Sequence, residues 1–86
     1  MKISVTQEDI VNGEPESCSN CPIARAIRRE LEIPAHCHVY VDSPRNVMFG
    51  FQDYTLDTAG SQFIEAFDNG RIVHPIVVEL EELNDE

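Results

Sequence analysis

Positive charge is what this chain has least of. Six lysines and arginines stand against sixteen aspartates and glutamates, a formal charge of −10 at neutral pH. So acidic a surface is repelled by phosphate backbones and anionic lipids, which makes direct nucleic-acid binding and membrane binding the poorest candidate functions. Long apolar runs are missing as well: none approaches the roughly 20 residues that cross a bilayer. Met1-Lys2 leads straight into Ile3-Ser4-Val5 without a secretory leader pattern, so a cytoplasmic location is expected. The four glycines include no phosphate-loop pattern, which argues against nucleotide cradling. There is no Gly-x-Ser-x-Gly elbow, and Asp57-Thr58 near Ser61 reads as helix capping. Glu81-Glu82 falls in a segment that reads as flexible, where carboxylates have neither tuned pKa values nor fixed geometry. An enzyme is not expected. Three cysteines are too few for a disulfide framework and leave metal binding, thiol exchange or plain burial.

What is present centres on Ser17 to Leu31, SCSNCPIARAIRREL. Ile23, Ala24, Ile27 and Leu31 recur at helical spacing and predict one apolar stripe. Arg25, Arg28, Arg29 and Glu32 fall on the other side, read as a solvated face with Arg28 near Glu32 on the next turn. Pro22 suits the first turn, and Ser19 or Asn20 is the expected N-cap. Cys18 and Cys21 then sit at the positive end of a helix dipole, where a thiolate is favoured.

Around this helix the chain reads as a small sheet. Lys2 to Thr6 predicts a strand, and Thr6-Gln7-Glu8-Asp9 a capping box opening a single turn that Asn12-Gly13 closes. His38 to Asp42 alternates as a strand, Ser43-Pro44-Arg45-Asn46 is turn chemistry, and Val47, Phe49 and Phe51 alternate as the next strand. Asp57 or Thr58 caps a helix carrying Phe63, Ile64, Ala66 and Phe67, stopped by Asn69-Gly70. Ile76 to Leu80 is the last strand, and Pro75, Glu79 and Glu81 suit an edge position. The expected fold is α+β: a four-stranded, mainly antiparallel sheet with two helices on one face, a split βαβ, ferredoxin-like plan. Residues 1–80 form one domain in this reading, and 81–86 an acidic, flexible tail. The 86 residues bury only about 60–65% of their unfolded surface, so help from a metal, a disulfide or a homodimer is left open.

Three stretches carry a resemblance: VTQEDI near the start, CxxCPIARAI in the middle, and FIEAFDNG followed by a proline-led final strand. Together they resemble a group of small uncharacterised proteins of tailed bacteriophages and prophages. The resemblance implies a gene product acting inside a bacterial host. It brings no activity and no catalytic residues with it.

Four residues form a candidate zinc set. Cys18 and Cys21 supply two ligands from one turn of chain, and His36 and His38, two apart on an extended segment, could supply two more. His74 is a distant substitute, and no second tight pair with knuckle spacing exists. A dithiol for thiol exchange is the other chemical reading, though CxxC does not follow a strand here. Against both stands plain packing, with Cys21 and Cys37 buried and Cys18 in a loop; on balance no cofactor is expected. For binding, Arg25, Arg28 and Arg29 are an island of positive charge that could grip a carboxylate or phosphate. Glu79, Glu81 and Glu82 form the acidic counterpart, suited to a basic protein partner. The expected function is a non-catalytic module binding a host or phage protein through negative charge, with a small metal or dithiol protein as the alternative.

Overall fold

The computed structural model describes residues 1–34, 36–42 and 46–83. Strand β1 (Lys2–Val5) buries Ile3 and Val5 and exposes Lys2 and Ser4. Helix α1 (Gln7–Asn12) starts with the capping box that its sequence spells. Thr6 Oγ1 accepts the Asp9 N–H at 3.3 Å while Asp9 Oδ2 accepts the Thr6 N–H at 2.9 Å. Gly13 then lets α1 meet the next helix, since a Cβ there would lie 2.7 Å from Pro22 Cδ and 2.8 Å from the Asp9 carbonyl oxygen.

Helix α2 (Pro22–Glu30) buries Ile23, Ala24, Ala26 and Ile27. Its cap is Cys21, not Ser19 or Asn20: the Cys21 sulfur accepts the Ala24 N–H at 3.4 Å. Leu31 is also corrected. The helix ends before it, Glu32 turns left-handed at φ +52°, and Leu31 is left exposed. Ile33 takes its place against the core, its N–H reaching back 3.0 Å to the Arg28 carbonyl.

Strands β2 (Val39–Asp42) and β3 (Asn46–Phe49) pair from Val39↔Phe49 to Asp42↔Asn46. Of the turn expected between them, Ser43, Pro44 and Arg45 lie outside the described residues. Phe51 does not continue β3. Gly50 and Phe51, at φ +60° and +61°, make a two-residue hairpin turn, and β4 (Gln52–Leu56) returns beside β3. Asp57 caps α3 (Thr58–Asp68) by accepting the Gly60 N–H at 2.9 Å. Gly70, at φ +75°, stops that helix where Asn69-Gly70 predicts. Strand β5 (Ile76–Glu82) places Val78 and Leu80 in the core.

The class is α+β as expected, but among the described residues five strands and three helices replace the four-stranded, two-helix plan. Strand order is β1-β5-β4-β3-β2 with every neighbouring pair antiparallel, which is not a split βαβ. β5 is therefore interior, not an edge. Pro75 sits just before it, and Glu79 and Glu81 point to the face away from the core, so neither disturbs the ladder. The strand runs on through Glu82, and the Leu83 N–H still bonds the Asp53 carbonyl at 3.0 Å. Within the expected tail, 84–86 lie outside the described residues.

One core cluster joins Ile3 and Val5 of β1, Val39 and Val41 of β2, Ile23 and Ile27 of α2, and Phe63 and Ile64 of α3. Helices α2 and α3 thus share one face of the sheet. Because α2 touches both β1 and β2, the two opposite edges, the sheet curls around it. The arginine face of this helix is solvated only in part: Arg29 is exposed, Arg25 and Arg28 are half-buried, and two of the three also hydrogen-bond the backbone. Ser4 of β1 gives its N–H to Glu30 Oε1 at 2.6 Å and accepts Arg29 Nη2 at 2.7 Å. Arg28 Nη1 donates to the Cys37 carbonyl at 2.8 Å, and the Val41 N–H of β2 bonds the Cys18 carbonyl at 2.7 Å. These bonds occupy Ser4 on the β1 edge and the Val41 N–H on the β2 edge, which interrupts each edge at one residue.

Candidate protein-docking face

Alternation that sends one set of side chains into the core sends the other set to the convex face, which no helix among the described residues covers. Register aligns two rows there: Tyr40, Met48 and Asp53, then Asp42, Asn46, Thr55 and Glu81. Tyr40 and Met48 are 41% and 49% exposed, and a hollow of about 480 Å³ lies over them, walled by Asp42, Asp53 and Leu83. Its floor is apolar and its rim carries two carboxylates. That is the chemistry of a seat for a side chain with an apolar stem and a cationic head.

At the end of this face the β3–β4 turn lifts Phe51 clear of the protein. Its relative exposure is 108%, at a left-handed φ that a bulky L-residue adopts at a cost of about 1 kcal/mol. A groove of about 390 Å³ runs from Phe51 past Met48 and Tyr40 to His38 and His36. The His38 ring stacks on Tyr40 with centroids 5.5 Å apart. Beneath, Phe49 and Tyr54 stack at 4.5 Å and stiffen the hairpin from the core side. A fully exposed phenylalanine on a strained turn adds no burial to the folded core. In the sequence this turn is hidden, because Phe51 keeps the alternation of Val47 and Phe49.

The four residues of the candidate zinc set are divided, although Cys18 also lines the hollow over Tyr40 and Met48 and both histidines line the Phe51 groove. Cys18 and Cys21 line one small hollow of about 230 Å³, beside Asp42 and Asp68. His36 and His38 line the separate groove below Phe51 with Cys37. Among the described residues no group of three His, Cys, Asp or Glu side chains is placed to hold a metal ion. Cys21 is buried and Cys18 exposed, while Cys37 is exposed where plain packing has it buried. Burial pushes the Cys21 thiol pKa up, outweighing the backbone N–H groups of Ala24 and Ile23 that pull it down. That is the opposite of the thiolate-favouring direction expected at this helix end.

Of the acidic candidates, Glu81 stands in the convex rows, Glu79 one residue pair further along β5, and Glu82 opposite Tyr54 at the end of the strand. Glu79 accepts the Met1 amine at 2.6 Å, and that bond holds its carboxyl below the usual range. The three arginines lie on α2, away from this face. No helix among the described residues is long and apolar enough to cross a membrane. No protein-family model, curated protein or solved structure matches this chain.

Proposed function

We propose that this protein is a non-catalytic binding module whose convex face docks a basic polypeptide surface. The partner presents an apolar side chain to the Phe51 groove and lysine or arginine heads to Asp42, Asp53 and Glu81. The observation that carries the reading is Phe51, held fully exposed on a left-handed turn beside the Tyr40–Met48 row. Charge complementarity supports the choice of partner, since the chain's −10 steers cationic surfaces toward it. Both sheet edges are interrupted by hydrogen bonds from within the chain, at Ser4 and at Val41, which supports face docking over strand addition. The likeness to bacteriophage proteins supports a partner within a bacterial host.

Selection from a random peptide library tests this. The wild-type chain is expected to enrich peptides that combine lysine or arginine with a neighbouring apolar residue. Their binding should weaken with salt, and Met48→Ser should reduce it. Enrichment of acidic peptides, or of basic ones indifferent to Met48→Ser, would overturn the reading.

A further inference from the structure

The cleft between α1 and α2 shows a different chemistry. It is a shallow, open hollow of about 310 Å³ lined by Glu8, Asp9, Asn20, Arg25, Arg28 and Arg29. The first carboxylate is already used. Asp9, 4% exposed, accepts from Arg29 Nη2 at 2.8 Å and from both the N–H and the hydroxyl of Thr6. Arg28 spends one Nη donor on the Cys37 carbonyl and forms no ion pair among the described residues. Arg25 is less provided for. Its Nε is buried without a hydrogen-bond partner, the one such side-chain atom among the described residues, and it too forms no ion pair there.

A buried guanidinium N–H without an acceptor is costly, and such an orphan in a folded chain calls for a partner. In a chain with sixteen acidic residues, two adjacent arginines without a carboxylate are an unexpected surplus. Among the lining side chains three guanidinium groups stand against Glu8 and Asp9, a net charge of +1, and the Glu14 carboxylate lies beyond the lining on the Asn20 amide. The orphaned donor, the paired forks and this residual charge call for the same thing: one planar monoanion. We infer that the cleft is a carboxylate-binding site, with Arg25 and Arg28 as the fork that holds the anion. A phosphate dianion would overshoot the local charge and meet Glu8, and a polyanion would meet the field of the whole chain. The carboxylate can belong to a small acid or to the free end of a polypeptide, since the fork reads the group alone.

Arginine Nε–H resonances in nitrogen–proton NMR spectra report on this site directly. Sodium acetate, titrated against sodium chloride at matched ionic strength, is expected to shift the Arg25 Nε–H saturably, with chloride inert. Arg25→Lys keeps the charge but loses the fork, and should weaken the acetate response read at the Asn20 side-chain amide about tenfold or more. A short peptide with a free C-terminus, compared with its amide, then separates the two sources. Response to the free peptide at lower concentration than acetate assigns a polypeptide end, and equal response assigns the small acid. The inference is overturned if acetate and chloride act alike, if Arg25→Lys leaves the Asn20 response unchanged in a chain whose backbone spectrum is otherwise wild type, or if inorganic phosphate saturates the site before acetate.

Discussion

Glu32 and Phe51 share a backbone problem and differ in what the chain gets from it. Both are non-glycine residues at left-handed φ, +52° and +61°. At Glu32 the conformation closes α2: the Glu32 N–H reaches back to the Arg29 carbonyl, the Ile33 N–H to the Arg28 carbonyl, and Ile33 packs on the core. The same arrangement ends α3 with Gly70, which adopts it freely. Glu32 is thus a tolerated residue in a structural position, its side chain in water. At Phe51 the turn serves β3 and β4 equally well with any left-handed residue, and a large apolar side chain is nonetheless displayed to solvent. Strain that closes a helix is explained inside the fold. Strain that exposes a phenylalanine has no such explanation inside the fold, and the proposed docking supplies one.

The contrast extends to the two sides of the sheet, and the sharpest separation is expected in thiol reactivity. Cys21, buried at the start of α2 with its pKa raised, should be alkylated in the native protein about a thousandfold or more slowly than exposed Cys18 and Cys37. Mass-spectrometric counting of labels over time checks this. Equal rates at all three would mean that the helix start is open. Next comes side-chain truncation. Ile27→Ala, in the core under α2, should cost about 2–5 kcal/mol in urea unfolding. Met48→Ala, on the bare face, should stay within about 0.5 kcal/mol. Comparable losses would show that the convex face is structural after all. A smaller step is Asp9→Ala, which removes the acceptor shared by Thr6 and Arg29 and should cost about 1–3 kcal/mol. No measurable loss would detach α1 from the clamp on the β1 edge.

Local chemistry made part of this fold legible. The Thr6–Asp9 box, Pro22 in the first turn of α2, the Asp57 cap and the Asn69-Gly70 stop each act within a few residues, and each stands where its spacing puts it. The turn at Gly50-Phe51 was not legible. A phenylalanine gives no signal for positive φ, and it prolonged the alternation of β3, hiding β4. Edge and interior were not legible either, because the place of β5 between β1 and β4 depends on partners far away in sequence. The same holds for the arginines. A run of charge on a helix reads as a solvated face, and only the fold shows Arg29 tied to Ser4 and Asp9 while Arg25 stays unpartnered. The docking face itself was half visible: its acidic component could be counted, but its apolar floor appeared only when register set Tyr40 beside Met48.

Glu32→Gly and Phe51→Gly make the same backbone change in the two regions, and each should raise stability by about 1 kcal/mol because glycine takes left-handed φ without a Cβ clash. The decisive measurement is the affinity of both variants for a selected basic peptide, read beside their urea unfolding curves. Glu32→Gly should be stabilised and bind as wild type does, whereas Phe51→Gly should be stabilised and lose tenfold or more in affinity, about 1.4 kcal/mol. A Phe51→Gly chain that binds undiminished would contradict the account, as would one that is destabilised, since Phe51 would then be serving the fold.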